Sequence, residues 1–266
     1  MTDETTRHRS IRAECLEGRI QENTAAQTTD FNAWVFNRIP VNSGDRVLEL
    51  CCGTGAQTLH FLRRTGKTGR VVALDIATES LNVLHSKVPN EEQICLTLIE
   101  SDLDLFDKSL TSHGISQGYF DMIFCSYGLY YSNDASIVLA RAKLWLKPGG
   151  SLVIVGPFGP NNEPLYRLLA GCGVEISDYI RFTSQDFMNK VVIPVGALHF
   201  NSLTIRTLVN TIVWNSAEHV FTYWKNTTFY DECKKDLVQA HLDQHFETQS
   251  AFINEKWVML VIMHNE

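Results

Sequence analysis

Val47-Leu48-Glu49-Leu50-Cys51-Cys52-Gly53-Thr54-Gly55 sets an acid near the end of an apolar run and a glycine-rich turn directly behind it. Gly53 and Gly55 carry no Cβ, so a ligand can lie directly on the backbone there. A dinucleotide fingerprint requires a further glycine three residues beyond Gly55, where Thr58 stands. Glu49 would repel a pyrophosphate but suits a zwitterion carrying an ammonium group. A second apolar run ends at Asp75, a position from which a carboxylate can accept both hydroxyls of a ribose. A third leads to Glu100-Ser101-Asp102-Leu103, where Asp102 can receive an exocyclic amine and Leu103 can pack on an aromatic base. Any one of these acids alone reads as a solvated loop carboxylate. Their succession after three consecutive runs implies a single ligand, a ribose bearing adenine on one side and a cationic, amino-acid-like group on the other.

To bring such loops together the runs must be parallel strands whose carboxyl ends open on one crevice. Val47 to Leu50, Val71 to Leu74, Ile94 to Ile99, Met122 to Cys125 and Ser151 to Val155 are expected as five strands of an α/β, doubly wound sheet with helices between them. Ile137, Ala140 and Leu144 share one face of the helix before the fifth strand, which Asn133 or Asp134 can cap and Pro148-Gly149-Gly150 ends. After Pro157 an irregular stretch of helices and loop reaches Phe200, and strand composition returns over Thr204 to Trp214. Asn215 with Glu218 reads as a capping box, Asp231 can start a longer helix through Phe246, and Trp257 to Met263 reads as a buried closing strand. Residues 1–44 are expected to form a helical cap segment on a main domain, 45–266, in which 156–255 holds a substrate cap and the closing hairpin.

Glu49 to Gly55 resembles the first motif, E-x-G-x-G-x-G, of the class I S-adenosylmethionine-dependent methyltransferases, with Cys51 where that family has its first glycine. Val71 to Ile76 resembles the second-strand motif, Ser101 to Leu103 the adenine motif, Asp121 to Tyr131 the fourth-strand motif and Lys147 to Gly150 the turn before strand five. The likeness is to the small-molecule branch, related to enzymes of the ubiquinone, menaquinone and biotin pathways (methyltransferase types 11 and 25), and runs from about Asp45 to Pro157. It implies a seven-stranded, mostly parallel Rossmann-like sheet with an antiparallel last strand, and S-adenosylmethionine as cofactor. It also implies cofactor contacts at Glu49, Cys51, Gly53, Gly55, Asp75, Ile76, Asp102, Leu103 and Ser126. The expected reaction is in-line methyl transfer to a small organic acceptor whose oxygen, nitrogen or carbon atom is unassigned.

For that chemistry the protein aligns donor and acceptor, excludes water and, for a protic acceptor, removes a proton. Tyr127, Tyr130 and Tyr131 follow strand four at the mouth of the crevice, and Tyr131 is the candidate among them for orienting an acceptor or facing a sulfonium. Tyr130 and Tyr131 stand where many relatives have histidines, so no histidine base carries over. His219, at the start of the helix after Trp214, is the second catalytic candidate; packing or solvation is the plain alternative for each. Phe31, Trp34 and Phe36 read either as an aromatic lid or as a staple of the amino-terminal segment onto the core. His241 and His245 lie four apart without the Glu of a zinc-protease pattern and without a third ligand, so no metal is expected.

The 266 residues are 44% hydrophobic and 20% charged, which excludes a disordered or low-complexity chain. Twenty-three basic against 30 acidic residues give a net charge of −7, which disfavours nucleic acid and anionic membrane as partners. Seven cysteines without a CxxC pair point to a reducing cytoplasm, and Met1 to Arg12 has no apolar stretch of signal-peptide type. The longest purely apolar run, Trp257 to Met263, is too short to span a bilayer. Oligomeric state is not assignable from these features. A cofactor-binding regulatory or scaffold protein that has lost transfer is the alternative from another class, and a nicotinamide oxidoreductase is disfavoured by Thr58 and Glu49.

Overall fold

The computed structural model describes Arg9 and residues 11–266, so the reading of the first residues as free of a signal peptide falls largely outside the described part. Seven strands form one sheet in the order β3-β2-β1-β4-β5-β7-β6. They are β1 (Arg46–Leu50), β2 (Arg70–Asp75), β3 (Leu96–Glu100), β4 (Phe120–Ser126), β5 (Leu146–Pro157), β6 (Ser202–Trp214) and β7 (Phe252–Asn265). β1 to β5 pair in parallel, and β7 is antiparallel to both β5 and β6. Strand order reverses between β1 and β4, which opens the crevice at the carboxyl ends of those two strands.

The central strands read as continuous apolar runs because both of their faces are covered. Leu48, Leu50, Ile123, Cys125, Leu152 and Ile154 belong to the core on one face of the sheet. Val47, Met122, Phe124, Val153 and Val155 belong to the core on the other. The helix Thr58–Thr65 buries Thr58, Phe61, Leu62 and Thr65, the i, i+3, i+4, i+7 stripe of a helix lying on a sheet. Asp134 caps the helix Ala135–Trp145 by accepting from the amides of Ser136 and Ile137.

Several boundaries differ from the sequence reading. Ile94 is exposed and β3 begins at Leu96. In the helix Ala135–Trp145 the buried residues are Ala135, Val138, Leu139, Ala142 and Trp145, while Ile137 and Leu144 face solvent. The helix is apolar on more than one side, so two stripes fit the same period, and the one carrying Trp145 meets the sheet. Ser216, rather than Asn215, caps the helix Ala217–Lys225, accepting from the amide of His219. Asp231 caps a short 3-10 turn, Glu232–Lys234, that leads into the helix Lys235–Thr248.

Two further layers cover the carboxyl ends of the strands. The helix Glu163–Gly171, the start of the helical run 178–199 and the helices after β6 form a cap, while the rest of that run, from Phe187 on, packs on one face of the sheet. Part of it has its own core around Leu165, Leu169, Trp214, Val220, Trp224 and Leu242. The amino-terminal helix Ala13–Ala26 lies against the helix Ala217–Lys225, so close at Gly18 that a Cβ there would come within 2.4 Å of Asn226 Nδ2. Its carboxyl end is tied to β6: Gln27 bridges Ile212, and the Asn210 side chain bonds both the amide and the carbonyl of Thr29.

Candidate active site

The turn after β1 doubles back through three left-handed residues, Cys51 (φ 56°), Gly53 (φ 52°) and Gly55 (φ 85°). At Gly53 the backbone needs this conformation and the space as well, because a Cβ would come within 2.6 Å of Leu16 Cδ2 of the amino-terminal helix. The Gly53 amide donates to Asp75 Oδ2 at 2.8 Å, and the Ala77 amide donates to Asp75 Oδ1 at 2.9 Å, so the end of β2 holds the glycine turn in place. Burial raises the Asp75 carboxyl above its ordinary pKa, while the amides of Ala77, Gly53 and Ile76 pull it back. Asp102 begins the 3-10 turn Leu103–Leu105 by accepting from the amide of Asp104 at 2.9 Å.

These loops form one wall of a cavity of about 470 Å³. Cys51, Cys52, Gly53, Asp75, Ile76, Asp102, Leu103, Ser126 and Tyr131 line it. Ile76, 43% exposed, and Leu103 add apolar surface to a lining that also carries Asp75 and Asp102. The rest of the lining comes from the cap, the amino-terminal helix, β7 and the turn after β4, with Arg19, Asn23, Tyr127, Asn161, Tyr166, Tyr179, Tyr223 and Lys256 among it. Thr183 and Ser184, from the first π-helical turn, reach it too, and Ser184 Oγ is bonded by Asn161 Nδ2 at 2.9 Å and Tyr166 OH at 3.0 Å.

Residues 26–183, more than half of the chain, match the ubiE/COQ5 methyltransferase family. The chain belongs to that family. The chain is 34% identical over 127 residues to a ubiquinone/menaquinone biosynthesis C-methyltransferase of Erwinia tasmaniensis, an alignment covering 48% of each chain. It is 25% identical over 174 residues to a demethylmenaquinone methyltransferase of Lactobacillus johnsonii, covering 59% of this chain and 69% of that one. The chain spans about half the length of the Erwinia, Lactococcus lactis and Francisella tularensis relatives it matches. Among solved structures the YcgJ protein of Bacillus subtilis superposes with a TM-score of 0.58 at 12% identity, over 88% of this chain and 97% of that one. An arsenic(III) S-adenosylmethionine methyltransferase of Chlamydomonas reinhardtii superposes with a TM-score of 0.54 at 16% identity, over 86% and 66%. At such identities the structural likeness is one of fold, the Rossmann-like methyltransferase sheet.

Not every residue expected at the site stands on the cavity wall. Glu49 is buried beneath the turn, where Thr58 Oγ1 donates to its Oε2 at 2.6 Å. Burial, with the nearby charge of Asp75, pushes its pKa up to about 8 despite the Thr58 bond. Glu49 therefore lies behind the turn and does not reach the cavity wall. Gly55 is also off the wall; its missing Cβ makes room for Leu84, which would lie 2.2 Å away. His219 does not line the cavity, because its ring turns outward to Glu22 at 2.9 Å. The aromatic cluster divides: Phe31 lines the cavity edge-on to Tyr127, whereas Trp34 and Phe36 are buried as a staple, Phe36 against Phe61.

Cys51 takes the left-handed conformation that the family's glycine would adopt freely, and its side chain fills space made by another glycine. A Cβ on Gly128 would lie 2.3 Å from Cys51 Cβ. Gly128→Ala is therefore expected to destabilise the fold by about 1–3 kcal/mol through overpacking. Cys51→Gly in the same chain should recover most of that loss. A double-mutant cycle by urea denaturation measures the coupling, and additive effects would mean that the two residues do not contend for one space.

A cavity-lining residue that the sequence did not reveal is Lys256 on β7. Lys256 Nζ donates to the Tyr223 hydroxyl and sits 4.4 Å from the centre of that ring. Burial, and the positive charge of Arg19, bring its pKa down to about 7. The available signal was a lysine at the head of the last apolar strand, in a register position opposite Asn210.

Proposed function

We propose that the methyltransferase moves the methyl group of S-adenosylmethionine to a small organic acceptor inside the 470 Å³ cavity. The observation that carries this reading is the division of one continuous cavity. Its sheet side offers Asp75, Asp102, Ile76, Leu103 and the bare backbone at Gly53, and its cap side offers a polar, aromatic chamber. In this reading Asp75 accepts the ribose hydroxyls, Asp102 and Leu103 take the adenine, and the backbone at Gly53 and Ser126 seats the methionine end. When bound, the cofactor supplies an electrophilic methyl group.

The protein then aligns an acceptor with that group and keeps water out. Tyr131 and Tyr127 both line the cavity, and Phe31 meets the Tyr127 ring edge-on. The curated relatives carry names of quinone-pathway methyltransferases, which supports a small molecule as acceptor. Among the described residues no helix is long and apolar enough to cross a membrane. We further propose a cytoplasmic setting from the seven dispersed cysteines, all of them free thiols.

Calorimetry with S-adenosylmethionine, its demethylated product and NADH tests the cofactor. Heat with the first two and none with NADH is expected, and the reverse would overturn the assignment. Incubation of cell extract with methyl-labelled cofactor tests transfer. A labelled small molecule is expected, whereas binding without any labelled product would point to a regulator.

A further inference from the structure

Among the described residues, Arg19 and Lys256 are the only arginine and lysine on the cavity lining, and neither forms an ion pair. Each is tied to the same end of the cap helix Ala217–Lys225. Arg19 Nη1 donates to the Asn226 carbonyl at 2.6 Å, and Lys256 Nζ donates to the Tyr223 hydroxyl. A guanidinium has five N–H donors and an ammonium three, so one bond from each leaves further donors for a ligand. The acids on the surrounding elements are engaged elsewhere: Glu22 with His219, Glu17 with Lys87, and Glu255 with the Trp257 indole. Asp30, the one acid of the described lining besides Asp75 and Asp102, accepts from the amide of Ala33 as a helix cap. Two like charges partly withdrawn from water repel each other and are costly until an anion completes the site. Burial beside Arg19 already draws Lys256 toward the neutral amine, an effect that a bound anion reverses.

Sheet order tells which ligand that anion belongs to. Asp75 ends β2 and Ser126 ends β4, whereas Lys256 is on β7, in the order β2-β1-β4-β5-β7. Neighbouring strands lie about 4.8 Å apart, which puts β7 roughly 19 Å across the sheet from β2 and roughly 10 Å from β4. Lys256 also lies two residues past the Pro157–Val258 pair, beyond the carboxyl end of β5. The ribose and the methionine end, as proposed above, take the part of the crevice from β2 to β4. The cations stand past it, by β7 and the cap, on the side left to the acceptor.

We propose that Arg19 and Lys256 hold an anionic group of the methyl acceptor, a carboxylate or a phosphate, so that the acceptor is a small organic acid or phosphate ester. This rests on the methyl-transfer reading above. The anion anchors the molecule and takes no part in the bonds that form and break. The methylated atom therefore lies elsewhere on the acceptor, and a carbon acceptor, of the kind the C-methyltransferase relatives are named for, is compatible with it. Tyr223 is a positioning residue that directs Lys256 Nζ.

The test is calorimetry at pH 6.5 on the full chain loaded with the demethylated cofactor. The probes are benzoate, its neutral and cationic counterparts of the same shape, benzamide and benzamidine, and phenyl phosphate. At least one of the two anions should bind about tenfold or more tighter than benzamide, the scale of hydrogen bonds to charged groups, and benzamidine should not bind. The tighter anion identifies the group as carboxylate or phosphate. Lys256→Met and Arg19→Met should each weaken the anion by about tenfold and leave benzamide within about twofold. Lys256→Arg keeps the charge and should keep the preference for the anion. Affinity for the demethylated cofactor should stay within about twofold of wild type in all three variants. Melting curves identify a variant that fails to fold, and the wild-type ranking of the probes stands without it. Equal binding of the anions and benzamide, binding of none of the four probes, or a preference for the anion that survives both methionine substitutions would overturn the proposal. A folded Lys256→Met or Arg19→Met that loses cofactor affinity about tenfold would assign the cations to the cofactor's own carboxylate and overturn it as well. Failure of wild type to bind the demethylated cofactor would remove the methyl-transfer reading and this one together, whereas cofactor binding without preference for an anion removes this one alone.

Discussion

Asp75→Ala is expected to raise the dissociation constant for S-adenosylmethionine by one to two orders of magnitude. The substitution removes two kinds of bond at once. In the proposed complex the carboxylate accepts from the ribose, and bonds to a charged acceptor of this kind are worth about 1.5–3 kcal/mol. The same carboxylate accepts from the amides of Gly53 and Ala77, so its loss leaves the glycine turn without its anchor on β2. Asp75→Asn separates the two effects. It keeps one oxygen to accept from a backbone amide and loses the second acceptor, so the turn should hold while ribose recognition falls. Calorimetric titration of both variants checks the ranking: Ala weakest, Asn intermediate, wild type tightest. Unchanged affinity in Asp75→Ala would mean that the end of β2 is not the ribose site.

The second large effect is expected at Glu49, and its sign follows from the direction of its shift. Its pKa in the folded chain, about 8, lies above its ordinary value of 4.5, so the folded state holds the proton more tightly than the unfolded chain does. The contribution to stability is complete below pH 4.5 and is lost as pH rises toward 8, because folding then requires either proton uptake or a buried charge. Glu49→Gln keeps an oxygen to accept from Thr58 and removes this dependence. The variant should differ little from wild type at pH 5 and should melt higher by roughly 5 °C or more at pH 8.5. Melting curves of both proteins across that range check it. Parallel curves at all pH values would show that Glu49 does not carry a proton under the turn.

The cofactor half of the site was legible in the sequence because its parts are local. A strand, an acid or glycine turn at its end and a helix start recur within a few residues of each other, and a doubly wound sheet delivers successive strand ends to one crevice without any long-range information. The sequence spaced the acids correctly but could not say which way each side chain turned. Glu49 precedes the turn by two residues and lies under it, whereas Asp75 closes its strand and reaches the wall. The acceptor half was opaque for the opposite reason. Arg19, Tyr223 and Lys256 come from the two ends of the chain and the cap, and only the packing of the amino-terminal helix on the helix Ala217–Lys225 brings them to one chamber. His219 illustrates the limit: its helix does cover the chamber, but it occupies the outer side, where Glu22 holds it.

The amino-terminal helix also stands in both halves of the cavity. Leu16 rests on Gly53, Glu17 is bonded by Thr54 Oγ1 and Lys87, and one and two helical turns beyond Leu16 Arg19 and Asn23 line the cavity. A single rigid segment thus feels the occupancy of either half. Whatever free energy one ligand spends in steadying this helix need not be spent by the other. If donor and acceptor bind as proposed, linkage through this helix would make each tighten the other by the same factor, so titration of one in the presence of the other should show positive cooperativity.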